Sequence, residues 1–138
     1  MREKFFRMLD ANFNRCVEGL RVLEDMARFI LEEKELAKAL KQLRQEIGLA
    51  RPEEIWRFRD VQGDPGTEVT TLREQERASW QALINANASR VAESLRVIEE
   101  GSKVLSDLEL AAKAKRWRYQ SYSLGQKLLL ASKAKEEN

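Results

Sequence analysis

The chain writes one polar pattern twice. DANFNRCVEGLRVLED, from Asp10 to Asp25, returns as NANASRVAESLRVIEE, from Asn85 to Glu100, at a constant offset of 75. The matched pairs are Ala11/Ala86, Asn12/Asn87, Arg15/Arg90, Glu18/Glu93, Leu20/Leu95, Arg21/Arg96, Val22/Val97 and Glu24/Glu99. Self-similarity at a fixed offset marks a duplicated structural unit and constrains the fold more than composition does. A repeat kept only to build a core would preserve its apolar positions best. This one keeps Asn, Arg and Glu.

The apolar spacing assigns the unit. At about 100° per residue, Leu9, Phe13, Cys16, Val17, Leu20, Leu23 and Ala27 share one helix face. Ile84, Ala88, Val91, Ala92, Leu95, Ile98 and Ser102 share the matching face of a second helix. A first helix is expected from near Lys4 to about Glu32. A partner with Leu36, Leu40, Leu43 and Ile47 at helical spacing ends near Gly48. The second copy is expected from about Leu72 to Lys103, and its partner from Asp107, a good cap residue, to about Lys133. ELAKALKQLRQ and ELAAKAKRWRY align at an offset of 74, including Lys41/Lys115 and Arg44/Arg118, so one residue is lost at the turn. The expected fold is all-α, a single domain over 1–138. A duplicated helical hairpin (repeat 1 about 4–47, repeat 2 about 72–133) forms a four-helix bundle. SKAKEEN at the end is expected to fray. The 48–71 linker is longer than bundle connections usually are, which points to function.

Composition narrows the chemistry. Histidine is absent and Cys16 stands alone, so His bases, Ser-His triads, His metal ligands and an internal disulfide are excluded. Cys16 reads as a small buried hydrophobe. Both signs of charge are interspersed and the net charge is +2, which argues against a general nucleic-acid binder. No apolar run has the length of a membrane span or a signal peptide, and a cytoplasmic protein is expected.

Carboxylates, Arg and backbone groups must then carry any chemistry. With Asn12 at 0°, Arg15 lies at roughly 300° and Glu18 at roughly 240° around the helix, a slanting row beside the apolar face. Asn12, Arg15 and Glu18 with Asn87, Arg90 and Glu93 are expected either to line a ligand cleft or to pair across the bundle and fix register. Glu24 projects between Phe13 and Val17, so its carboxylate needs a partner or a ligand. The linker segment RDVQGDPGT, Arg59 to Thr67, is the second candidate. Gly63 and Gly66 allow φ > 0 or close backbone approach. Asp60 and Asp64 suit Mg²⁺, direct or through water. The plainer reading is a turn in which Asp caps its own backbone. The remaining cations, Arg28, Arg57, Lys103, Arg116 and Arg118, read as mostly solvated faces. Trp56, Trp80 and Trp117 read as core or rim packing. Neither phosphate-loop nor dinucleotide glycine patterns are present.

LDANFNRCVEGLRVLEDMARF, RDVQGDPGT and NANASRVAESLRVIEE together resemble the monofunctional hydroxymethylpyrimidine phosphate kinase family of thiamin biosynthesis. That domain is often fused to thiamin phosphate synthase. The resemblance runs from about Met8 to Leu130. It implies ATP- and Mg²⁺-dependent phosphorylation of 4-amino-5-hydroxymethyl-2-methylpyrimidine phosphate to its diphosphate. Phosphoryl transfer asks mainly for positioning and charge neutralisation. In that frame Arg15, Arg21, Arg59, Arg90 and Arg96 clamp the phosphates, and Asp60 and Asp64 place Mg²⁺. Glu24 or Glu99 accepts from the pyrimidine amino group, and Asn12 or Asn87 reads a ring nitrogen. The two copies become half-sites for donor and acceptor. Expected partners are the pyrimidine phosphate and a nucleotide, with room for a homodimer. The alternative is a non-catalytic helical interaction module that partners thiamin phosphate synthase. A pyrophosphatase fits less well, for want of an assembled set of carboxylates.

Overall fold

The computed structural model describes residues 1–71 and 76–137. Helix α1 spans Arg2–Asp25 and runs straight into one π-helical turn, Met26–Ile30. Helix α2 is Lys34–Ala50, the short α3 is Glu53–Trp56, α4 is Trp80–Val104 and α5 is Leu108–Glu137. No strand occurs among the described residues. The fold is all-α, as the periodicity predicts. The described part of α4 begins later than expected, at Trp80, where the Ser79 hydroxyl caps the Ala82 amide at 3.1 Å; Leu72, the expected start, lies outside the described residues. Asp107 caps α5 as expected, accepting from the Leu110 amide at 3.1 Å. The C-terminal tail, expected to fray, is helical to Glu137, where the described residues end, and Lys135 donates to the Leu31 carbonyl at 3.1 Å.

Hairpin α1/α2 packs on hairpin α4/α5 mainly through α1 and α4. These two run antiparallel. A Cβ on Gly19 would lie 2.8 Å from Val91, and one on Gly101 would lie 2.8 Å from Leu9. The repeat offset converts the Gly19–Val91 approach into a Cys16–Ser94 pair, and Cys16 and Ser94 do face each other, both buried. The duplication is therefore a pseudo-two-fold whose axis passes between the centres of α1 and α4. Leu9, Phe13, Cys16, Leu20 and Leu23 interleave with Ile84, Val91, Leu95 and Ile98 at the heart of the core. Leu40, Leu43 and Ile47 close one side, and Leu110, Ala114, Trp117 and Leu128 the other. Burial of these side chains from water is the main force holding the bundle.

The change of offset from 75 to 74 has a structural cause. Between the matched pairs Asp25/Glu100 and Glu32/Ser106 the first copy carries one residue more than the second, and the π turn takes it up. The Leu31 amide reaches back five residues to the Met26 carbonyl at 2.9 Å, which widens the helix without breaking it. Register is then restored: Glu32 (φ 55°) and Ser106 (φ 61°), matched at the offset of 74, both turn the chain in the left-handed region. In the second hairpin the Asp107 amide closes the motif on the Ser102 carbonyl at 2.8 Å, in the manner of a Schellman cap.

Candidate functional site

Each copy places its Asn in the same way. The Asn12 side-chain amide donates to the Met8 carbonyl at 2.8 Å, and the Asn87 amide to the Leu83 carbonyl at 2.9 Å. This bond to the carbonyl four residues back pins each Asn against its own helix. In the first copy Arg15 leans back on the Asn12 oxygen at 3.4 Å. Arg15, Glu18, Arg90 and Glu93 are all exposed.

These residues edge two adjoining cavities. The first, about 600 Å³, lies between α1 and the linker and is lined by Asn12, Arg15 and Glu18 together with Arg59, Asp60, Asp64 and Thr67. The second, about 1360 Å³, is lined by Arg90, Glu93, Ser94 and Gly66 and shares Asn12 and Arg15 with the first. The antiparallel α1/α4 crossing thus brings the two copies to one continuous polar cleft. Asn87 is not among the lining residues of either cavity.

Four predicted contact residues are placed elsewhere. Each step of three residues turns the row back by about 60°, so by Arg21 it has rotated to the far side of α1. Arg21 pairs with Asp25 at 3.6 Å and Arg96 with Glu100 at 3.0 Å, both on the surface. Glu24 and Glu99 are buried and bind across each hairpin, Glu24 to Arg44 at 2.8 Å and Glu99 to Arg118 at 3.0 Å. They are matched copies of one interhelical tie. This meets the need for a partner that their place in the apolar sector creates. It also corrects the reading of Arg118 as a solvated cation, since Arg118 is buried. Burial pushes the Glu99 carboxyl up, but Arg118 and Lys103 outweigh it and hold the group below the usual carboxylate range. Hydrogen bonds to Tyr122 and Glu99 raise the Arg118 guanidinium.

The linker is docked onto α1. Arg59 donates to both oxygens of Asp10, at 2.7 and 2.9 Å, and Asp10 is almost wholly buried. This pairing raises the Arg59 guanidinium. Arg51, at the other end of α3, donates to Asn14 at 2.8 Å and sits 3.7 Å from Asp10. Between them Ile55 is buried and Phe58 stacks on Phe6 with 5.6 Å between ring centres. Arg59, expected to clamp phosphate, is thus already engaged by a carboxylate.

Beyond Arg59 the loop caps itself. Asp60 accepts from the Gly63 amide and Asp64 from the Gly66 amide, both at 2.8 Å, and the Thr67 hydroxyl donates to the Asp64 carbonyl at 3.0 Å. Neither glycine has a positive φ. A Cβ on Gly63 would meet the Asp60 carboxylate, which would have to swing away and give up its bond to the Gly63 amide. Asp60 and Asp64 share the first cavity, but no group of three or more His, Cys, Asp or Glu placed to hold a metal exists among the described residues. Two loop carboxylates match the way Mg²⁺ is held when phosphate oxygens and water supply the rest of its shell.

Asp10, Asn14 and Arg51 escape a search that follows only what the copies share. The opposite signal finds them: Asp10 aligns with Asn85 and Asn14 with Ser89. The copies diverge where one alone must hold the linker. Cys16 is fully buried, and burial drives its thiol up to about 12, which suits a packing residue. Trp117 is fully buried and donates to Glu46 at 3.2 Å, whereas Trp56 and Trp80 are half-exposed at the rim. No helix among the described residues is long and apolar enough to cross a membrane.

Comparison with known proteins follows the same lines. Residues 7–127 match the model of the ThiD2 family. The chain is 45% identical over 124 residues to a protein of Nostoc punctiforme named thiamine-phosphate synthase, covering 90% of this chain and 35% of that one. It is 44% identical over 128 residues to the thiamine-phosphate synthase of Thermosynechococcus vestitus, covering 93% of this chain and 36% of that one. A third, from Rhodopirellula baltica, is 41% identical over 128 residues, covering 90% of this chain and 34% of that one. The chain spans about a third of the length of these curated relatives. No solved structure matches. The likeness to thiamin-biosynthesis proteins is borne out at that level. The expectation of a hydroxymethylpyrimidine phosphate kinase is not: relatives covering most of the chain are named for a synthase, a transferase that is not a kinase. Matched over residues 7–127, the chain belongs to the ThiD2 family.

Proposed function

We propose that this chain is a ligand-binding domain of thiamin biosynthesis, serving the synthesis of thiamine phosphate, and that a phosphorylated pyrimidine is its ligand. The observation that carries this reading is the cleft in which the shared polar rows meet, with Arg15 common to both cavities. A volume of about 600 Å³ suits one small ligand. Arg15 and Arg90 supply planar cationic donors for phosphate oxygens. Asn12 offers an amide oxygen, and Glu18 and Glu93 accept from amino groups at the edge of a heterocycle.

ATP and Mg²⁺ belong to the same proposal as occupants of the cleft. The larger cavity has room for a nucleotide, and Asp60 and Asp64, which line the smaller cavity beside it, would hold Mg²⁺ against phosphates that reach the shared edge at Arg15, where the ion neutralises oxyanion charge. A homodimer is a further proposal that the binding reading does not require.

Isothermal titration of the folded protein with hydroxymethylpyrimidine phosphate tests the reading. The unphosphorylated alcohol, thiamine phosphate and Mg²⁺-ATP run in parallel. The phosphate ester is expected to bind, with the alcohol weaker by about tenfold or more, as loss of a charge-assisted contact implies. Arg15→Ala should remove most of that preference. A folded, helical protein that binds no phosphorylated pyrimidine refutes the proposal.

A further inference from the structure

The repeat predicts two equivalent half-sites, yet the linker enters them differently: Arg59, Asp60, Asp64 and Thr67 line the first, and Gly66 and Val69 the second. The divergent residues of α1 account for the difference. Asp10 and Asn14, one helical turn apart, receive Arg59 and Arg51, which flank α3. The matched positions of α4 carry Asn85 and Ser89. Neither has the charge to hold two guanidinium groups.

The geometry points to Asp10 and Asn14 as positioning residues. They clamp the linker to α1 and so set Asp60, Asp64 and Thr67 beside the Asn12–Arg15–Glu18 row of the first half-site. A bidentate pair between a buried carboxylate and Arg is directional as well as strong. It fixes where the loop begins, and the aspartate turns after Arg59 fix how it continues. Any ligand that needs the loop then meets it already in place, rather than bearing the cost of ordering it. The matched positions on α4, Asn85 and Ser89, carry no carboxylate for such a clamp. The ligand consequence rests on the function proposed above, whereas the clamp itself does not.

The test gives α1 the residues that α4 carries. Asp10→Asn, Asn14→Ser and the double variant are compared with the wild-type chain by amide hydrogen exchange and by titration with hydroxymethylpyrimidine phosphate. Residues 57–71 should lose protection in Asp10→Asn and the double variant, while core amides of α1 and α4 keep theirs. Affinity should fall by about tenfold, because the binding-competent linker becomes the minor state. Asp10→Glu keeps the charge and should restore most of the linker's protection; an Asp10→Glu linker as loose as that of Asp10→Asn counts against the clamp. Unchanged exchange over 57–71 in the double variant overturns the proposal, and so does a loss shared equally by α1 and α4. A wild-type chain that binds no pyrimidine phosphate sinks the function reading, and the exchange data still decide the clamp.

Discussion

Replacing Glu99 with Gln isolates the buried tie between α4 and α5. Glu99 is 5% exposed and accepts from Arg118 at 3.0 Å, with Lys103 at 3.4 Å. Removing one partner of a buried ion pair costs about 3–5 kcal/mol. Two features lower that here. The Gln carbonyl still accepts a hydrogen bond, and Arg118 keeps the Tyr122 hydroxyl at 3.4 Å and the faces of Tyr119 and Tyr122. The expected loss is therefore about 2–3 kcal/mol. With unfolding entropy of about 2 cal/mol/K per residue, that lowers Tm by roughly 7–10 °C. The pH dependence provides a stricter test. The folded Glu99 carboxyl sits below its ordinary value, so its contribution is complete above the unfolded pKa, about 4.3. It disappears as pH falls through the depressed folded value. Urea melts of wild type and variant at pH 7, 5, 4 and 3 should give a constant difference down to about pH 5 and a shrinking one below. A difference that persists undiminished at pH 3, or one under about 1 kcal/mol at pH 7, refutes the argument.

Other outcomes follow from the packing and the turns. Gly19→Ala should destabilise by about 1–2 kcal/mol in denaturant melts, because overpacking against Val91 exceeds the gain in helix propensity. Gly19→Ala with Val91→Ala should recover that overpacking part against Val91→Ala alone. Glu32→Gly should stabilise by about 1 kcal/mol, since only a glycine holds the left-handed turn without strain. Cys16 should resist a disulfide reagent at pH 8 until the chain unfolds, because its buried thiol ionises only near 12; rapid labelling of the native protein would contradict its place in the core.

Much of the fold was legible in the repeat and in the 3.6-residue period, because both are local. Apolar residues three and four apart must share a helix face, whatever lies opposite. The hairpin pairing followed from the same alignment, and even the lost residue was visible as a change of offset. The Asn12–Arg15–Glu18 row was equally readable, since its slant is a property of one helix. Partners were not. Whether Glu24 met a ligand or an arginine depended on Arg44, which lies on another helix. Glu99 and Arg118 posed the same question.

The site was decided by tertiary packing. Sequence alone determined two amphipathic hairpins, their polar rows and a loop with aspartates and glycines at turn spacing. Only the antiparallel crossing of α1 and α4 brought the rows to one cleft. The buried Asp10 then drew Arg59 out of the expected phosphate-clamping role and into holding the loop. The physical reason is that helical periodicity is set by backbone hydrogen bonds within one segment. The partner of a charge is set by whichever opposite charge the packing brings near it as both leave water.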